Sequence, residues 1–222
     1  MDNKEIKLQR MERTEGKILS ENAYNAAIGL TILWGLLLNV LTYRLFAPYI
    51  IKLDYRVVAI GYLVISFACI AVVVKSHRPA ISLLGFTGLA ITMGILLTSF
   101  LSLYDGQVIY RAFLATGIIV LSMILVSTFY PAFFLSLGRT LMFALLGSIA
   151  IELVGGLLFH LPLNFMDYVV VIIFAGYIGY DWAKAQAYPM TLDNAIDSAA
   201  DIYVDIINIF IRILSIMGNK KD

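Results

Sequence analysis

Charged residues are scarce in this chain. Of its 222 residues only 14% are charged and 61% are hydrophobic, whereas soluble globular domains carry roughly 25% charged residues. This composition excludes an ordinary cytosolic domain. Because a membrane-spanning helix needs about 20 mostly apolar residues, the chain can hold roughly seven such helices. We therefore expect a protein embedded in the lipid bilayer. Too few residues remain for a second, soluble domain.

The chain also lacks an excess of either charge, and it is nearly free of cysteine and histidine. The 16 basic and 15 acidic residues leave a net charge of +1, so nothing indicates a nucleic-acid partner. Cys69 stands alone, which excludes an intramolecular disulfide and a cysteine-based metal site. His77 and His160 lie at the ends of apolar stretches and lack the spacing of metal ligands. We therefore expect no resident cofactor.

The first 22 residues mix basic and acidic side chains with almost no apolar periodicity. We expect residues 1–22 to form a solvated N-terminal tail. A secretory signal would place an apolar stretch directly after a short basic start, but here the first apolar stretch begins near Tyr24 and has full length. The expected membrane domain is residues 23–217, followed by a short tail at 218–222.

Seven apolar stretches follow the tail, and each is bounded by charged, proline or aromatic residues. They cover approximately 24–43, 57–74, 80–103, 112–130, 139–159, 167–180 and 198–217. Strands of a membrane barrel would instead alternate in segments of about ten residues. The pattern predicts an all-α integral membrane protein, a bundle of seven transmembrane helices.

Small residues recur at helical spacing in several stretches, which favours close packing of helices. The sets are Gly85 with Gly88, Ala90 with Gly94, Ser148 with Glu152 and Gly156, and Ala175 with Gly179.

The distribution of Lys and Arg favours a cytoplasmic N-terminus and an external C-terminus. On this arrangement the cytoplasmic side holds the basic residues of the tail together with Lys75, Arg78, Arg139 and Lys184. The external side holds Arg44, Lys52, Arg56, Arg111, Lys220 and Lys221.

The last apolar stretch carries a polar stripe formed by Asp201, Asp205, Asn208 and Arg212. Spacings of four, three and four residues place these side chains on one face of a helix. Asp201 and Arg212 lie near enough to the ends to extend toward the lipid headgroups. Asp205 lies a turn deeper, where an acid indicates a functional site.

A second deep acid, Asp181, ends the sixth stretch. A short loop with Pro189 joins this stretch to the last one, so the two helices are antiparallel and Asp181 can approach Asp201 and Asp205. Two carboxylates in a low dielectric cannot both ionise cheaply, so they share a proton or bind a cation. Carboxylate oxygens are also ligands that calcium accepts. The site is therefore a candidate pH sensor and a candidate cation site.

Glu152 lies deep in the fifth stretch. It is either a neutral acid that is hydrogen-bonded to a hydroxyl on a neighbouring helix, or an acid that lines a pore.

Two segments that carry deep acids resemble the C-terminal signature of the transmembrane Bax inhibitor motif family. That signature is a Tyr-Asp that ends the sixth helix and a seventh helix similar to Leu-Tyr-Leu-Asp-Phe-Ile-Asn-Leu-Phe. The corresponding blocks here are Gly179-Tyr180-Asp181-Trp182 and Ile202-Tyr203-Val204-Asp205-Ile206-Ile207-Asn208-Ile209-Phe210. The segment from Gly85 to Tyr104 also looks like the third helix of that family, bacterial-type members included.

The resemblance implies a seven-helix fold with the last helix at its centre. It also implies a pH-sensitive calcium leak, with Asp181 and Asp205 as the controlling aspartates, in a bacterial plasma membrane. Calcium and protons would be the partners, and the protein would not be an enzyme. A basic residue between the second and third helices would hold the closed state, which makes Arg78 and Lys75 the candidates for this latch.

Two other functions remain open. An intramembrane aspartyl protease also uses two membrane aspartates, and Tyr180-Asp181 fits one of its motifs. Its second motif requires Gly-x-Gly-Asp, and no Gly-Asp pair occurs in this chain. The third possibility is a non-conducting regulator of other membrane proteins, in which the aspartates would be structural.

Overall fold

The computed structural model describes residues 10–11, 17–157, 159 and 164–218. The predictions for residues 1–9 and 12–16 of the N-terminal tail, for His160 and for the last four residues with Lys220 and Lys221 lie outside the described residues.

The described residues form eight helices, and seven of these are at least 20 residues long. They are α1 (Glu21–Ile50), α2 (Tyr55–Lys75), α3 (Pro79–Leu101), α4 (Gly106–Phe129), α5 (Pro131–Ser136), α6 (Gly138–Leu157), α7 (Asn164–Ala187) and α8 (Leu192–Met217). The prediction of an all-helical protein is confirmed. The short helix α5 was not predicted.

Six helices are long and apolar enough to cross a membrane, namely α1, α2, α3, α4, α6 and α7. Helix α8 forms where the seventh span was predicted, but among the described helices it is not one of these six. An aspartate at every fourth position from Asp193 to Asp205, together with Arg212, makes it too polar. The membrane-spanning helices identify an integral membrane protein.

The starts of the first three helices follow from local chemistry. The Ser20 hydroxyl caps α1 by accepting a hydrogen bond from the Ala23 amide at 3.3 Å, and Asp54 caps α2 through the Arg56 amide at 2.7 Å. Pro79 stands at the first position of α3, where its missing N–H costs nothing. The prediction that the first span ends before Arg44 is wrong, because α1 continues to Ile50.

The chain divides into two compact units. The first unit contains Met1–Leu103 and Ala185–Tyr203. In it, α3 packs against both α1 and α2. A Cβ atom added to Gly88 would lie 2.9 Å from the sulfur of Cys69, so only glycine allows α2 and α3 to approach this closely. The predicted close packing at this glycine is confirmed.

The second unit contains Tyr104–Lys184 and Val204–Asp222. Gly179 of α7 is covered by the ring of Phe134 from α5, with no space for a side chain. The Ser127 hydroxyl of α4 donates to the Gly179 carbonyl oxygen at 2.5 Å. On the same side of α7, the Trp182 indole donates to the Thr128 hydroxyl at 3.0 Å. Helices α4 and α5 therefore fix the C-terminal part of α7.

Helix α8 belongs to both units, with residues 192–203 in the first and 204–217 in the second. Only its terminal residues, Leu192 and Met217, are exposed, whereas every other residue of the helix is buried or half-buried. The most polar of the long helices is thus shielded along nearly its whole length.

Candidate functional site

The polar face of α8 is longer than the sequence indicated. Asp193 and Asp197 precede Asp201 and Asp205 at the same four-residue spacing, so one acidic row extends over about three turns. Asn208 and Arg212 continue the stripe after these four aspartates. The predicted stripe therefore begins two turns earlier than predicted.

Asp181 lies near the C-terminal end of α7 and is only 6% exposed. Its carboxylate forms an ion pair with the ammonium group of Lys184, three residues later on the same helix. The ammonium also lies 5.3 Å from the centre of the Tyr180 ring, which is cation–π distance. The basic group that neutralises Asp181 thus comes from its own helix.

Asp205 is 5% exposed and belongs to the same unit as Asp181. The phenol of Tyr177 lies within electrostatic reach of both carboxylates. Both predicted aspartates are thus buried and interact electrostatically with the same tyrosine, and Lys184 is a counter-charge of Asp181. Such a group can exchange protons or replace its ammonium with another cation.

Asp201, the third predicted member of this site, lies in the first unit and is ion-paired with Arg10. Arg10 Nη1 lies 3.1 Å from Asp201 Oδ2. The expectation of a solvated tail is wrong at Arg10, which is only 6% exposed. Burial by itself lowers the pKa of Arg10, but the carboxylates of Asp201 and Asp197 raise it, and the net shift is upward.

Arg212 is the centre of an ionic cluster in the second unit. Its Nη1 and Nη2 atoms donate to the two carboxylate oxygens of Glu152 at 2.7 and 2.9 Å, and Nη1 also donates to Asp167 at 2.8 Å. Ser215 donates to the other oxygen of Asp167 at 2.7 Å. Arg212 is therefore bound by acids of α6 and α7. Glu152, the possible pore acid, is an ion-pair partner.

Asn208 has a local role in the described structure. Its side-chain amide donates to the Val204 carbonyl oxygen at 2.8 Å, one turn earlier on α8. The side chain is half-buried.

The two latch candidates, Lys75 and Arg78, are both exposed and lie at the junction of α2 and α3. Arg78 precedes α3, and its backbone amide donates to the Ser76 hydroxyl at 3.0 Å. Neither side chain forms an ion pair with a carboxylate among residues 10–11, 17–157, 159 and 164–218. Their role as a latch stays a prediction.

In the part of the chain that the structure describes, no three or more His, Cys, Asp or Glu side chains are grouped so as to hold a metal ion. Asp181 and Asp205 offer two carboxylates, whereas a dedicated calcium site uses six to eight oxygen ligands.

Five charged residues of the acidic row and the ionic clusters were missed by the sequence analysis, namely Arg10, Asp167, Lys184, Asp193 and Asp197. Lys184 could have been found, because a lysine three residues after an aspartate lies on the same helix face. Arg10 and Asp167 pair with residues 191 and 45 positions away, and no local pattern indicates such contacts.

The comparison with protein-family models supplies a match over residues 19–222, to the family described as inhibitor of apoptosis-promoting Bax1. No curated protein matches the chain. The match covers all the helices described above, together with the Tyr-Asp end of α7 and the acidic row of α8. The chain therefore belongs to the Bax inhibitor family of membrane proteins, which is defined by the transmembrane Bax inhibitor motif.

Proposed function

We propose that this protein is a pH-sensitive calcium leak, in which Asp181 and Asp205 bind the passing ion and sense protons. The observation that carries the proposal is the burial of both carboxylates in one unit of a membrane protein, within reach of the same tyrosine, Tyr177. Buried acids in the helices of a membrane protein are costly and mark ion or proton pathways. The activity is transport and needs no covalent chemistry.

In the closed state, Lys184 supplies the positive charge that calcium would otherwise supply. Its ammonium is bound to Asp181 and therefore competes with an incoming divalent ion for the same oxygens. An ion pair with little exposure to water is screened weakly by salt. Calcium entry then requires the Lys184 side chain to leave Asp181.

Acidification favours the release of the Lys184 side chain from Asp181. When one proton binds to the carboxylate pair, the pair carries less negative charge and attracts Lys184 less strongly. We therefore expect the leak to increase as the pH falls from 7 toward 6. A leak that increased with alkalinity would contradict the proposed gate.

For the orientation we propose a cytoplasmic N-terminus in a bacterial plasma membrane. The basic residues predicted for the cytoplasmic side support this orientation. With the N-terminus inside, the loop between α7 and α8 faces the cytoplasm, and so does the end of α7 that carries Asp181 and Lys184.

The test is calcium flux into liposomes that contain the purified protein, measured at pH 7 and pH 6. Asp205→Asn preserves the shape of the side chain and removes its titration, so we expect the flux and its pH dependence to be lost. Glu21→Gln is the matched control, because Glu21 is an exposed acid at the start of α1. An Asp205→Asn variant with undiminished, pH-dependent flux would overturn the proposal. A parent protein without flux at either pH would favour the non-conducting regulator.

A further inference from the structure

We infer that Arg10 is an autoinhibitory strap, which closes the acidic N-terminal half of α8 by occupying it with a guanidinium. The inference concerns the regulation of the proposed leak and rests on that function for its flux measurement. All the contacts that carry it lie within the first unit.

The guanidinium binds two turns of α8 at once. Nη1 donates to Asp201 at 3.1 Å, and Nε lies 3.9 Å from an Asp197 carboxylate oxygen. Nη2 donates to the Ser198 hydroxyl at 2.8 Å and to the Asn194 carbonyl oxygen at 3.2 Å. Two carboxylates, a hydroxyl and a carbonyl are the oxygen types that bind hard cations. Arg10 thus occupies oxygen atoms that would otherwise attract a cation.

The arginine is enclosed on its other sides. Its guanidinium carbon lies 4.3 Å from the centre of the Tyr188 ring, and the Asn194 side-chain amide donates to the Arg10 carbonyl oxygen at 3.2 Å. Side chain and backbone are therefore both held. Because the upward pKa shift keeps the guanidinium charged, the positive charge is present at every physiological pH.

The chain that follows Arg10 is tied to the last turn of α7 and to the loop between α7 and α8. The Leu19 amide donates to the Met190 carbonyl oxygen at 2.8 Å, and the Tyr24 hydroxyl donates to the Ala185 carbonyl oxygen at 3.1 Å. The Gln186 side chain adds a hydrogen bond to Asn25 at 2.9 Å. These hydrogen bonds hold Leu19, Tyr24 and Asn25 in place and do not involve the guanidinium of Arg10.

Two effects make this contact inhibitory. The guanidinium cancels negative charge that would attract a cation toward α8, and it repels a cation that approaches. It also fixes α8 at Asp201, which lies one helical turn from Asp205. While Arg10 is bound, its contacts hold the part of α8 in the first unit in place.

The experiment compares parent, Arg10→Ala, Arg10→Lys and Lys17→Ala proteins in liposomes, with calcium flux at pH 7 as the first measurement. We expect Arg10→Ala to raise the initial calcium flux at least about fivefold. This is the lower end of the effects that one site typically has on another in allosteric proteins. Arg10→Lys keeps the charge and loses the planar fork, so its flux should be intermediate. Lys17→Ala removes an exposed charge from the same segment and should match the parent.

Amide hydrogen exchange of residues 192–201 is the second measurement, and it does not depend on conduction. Faster exchange in Arg10→Ala, together with higher flux, supports the strap. Calcium flux through Arg10→Ala when the parent protein shows none also supports it. If the parent leaks on acidification but Arg10→Ala has unchanged flux, the inference is overturned while the proposed function stands. Unchanged exchange overturns it as well. If no variant conducts at any pH, the strap and the proposed function both fail.

Discussion

The guanidinium of Arg212 faces the carboxylate of Glu152 in a two-pronged contact, with N–O distances of 2.7 and 2.9 Å. Asp167 adds a third oxygen at 2.8 Å. One cation therefore holds two acids from two other helices. Each side chain is only partly exposed, Arg212 by 28%, Glu152 by 26% and Asp167 by 15%.

Because one cation serves two acids, removing the cation should lower the free energy of unfolding more than removing one acid. Arg212→Leu leaves Glu152 and Asp167 close together without a cation, so we expect a loss of about 3 kcal/mol of unfolding free energy. Glu152→Gln leaves Arg212 paired with Asp167 and should cost about 1 kcal/mol. Thermal unfolding of the purified variants in detergent measures both. Equal losses, or the reverse order, would contradict the described cluster.

The second prediction concerns the latch. Because Lys184 is the basic group bound to Asp181, Lys184→Gln should give a leak that is already open at neutral pH, about fivefold above the parent. Arg78→Ala and Lys75→Ala test the latch that the family resemblance implies, and both residues are exposed. We expect the Lys184 variant to have the largest leak of the three.

Interacting partners are non-additive, so the effect of Lys184→Gln should disappear when Asp181→Asn is also present. If Arg78→Ala opens the leak and Lys184→Gln does not, the gate is held from the junction of α2 and α3.

The third prediction tests whether α8 crosses the membrane. Its 26 residues extend about 39 Å, which is longer than the hydrocarbon core of about 30 Å. A reporter fused after Asp222 should be extracytoplasmic, and a reporter inserted after Pro189, before α8, should be cytoplasmic. The same side for both reporters would mean that α8 does not cross.

The fourth prediction contrasts two glycines of membrane helices. Gly179→Ala places a methyl group against the Phe134 ring, and we expect a destabilisation of about 1–3 kcal/mol, as for other overpacked interiors. Gly117 of α4 has open space around the position of a Cβ atom, so Gly117→Ala should be neutral or stabilising by up to about 1 kcal/mol. Unfolding of both variants in detergent provides the comparison. A stable Gly179→Ala protein would mean that α5 can move away from α7.

The helices could be predicted from the sequence because hydropathy acts locally, residue by residue. The short helix α5 was missed because Pro131 and Tyr130 were interpreted as one boundary, although Pro131 also starts a new helix. The acids Asp181 and Asp205 were found because a carboxylate in an apolar stretch is conspicuous.

The ion-pair partners of Asp201 and Arg212 were not predictable. Arg10 is one of several basic residues among the first 22, and nothing in its neighbours distinguishes it from the rest. Burial of that one side chain depends on a helix almost 200 positions later, and a local pattern carries no information about such a contact. The pairing of Arg212 with Glu152 is non-local in the same way.

The polarity of α8 has a consequence for biogenesis. Inserting a single aspartate at the centre of a helix costs about 3 kcal/mol in the translocon, and α8 carries four aspartates and an arginine. Arg10 and Ser82, which bind Asp201 and Asp193, and Glu152 and Asp167, which bind Arg212, all precede α8 in the chain. During synthesis the partners are therefore made first, and the helix least able to enter lipid alone emerges from the ribosome after them.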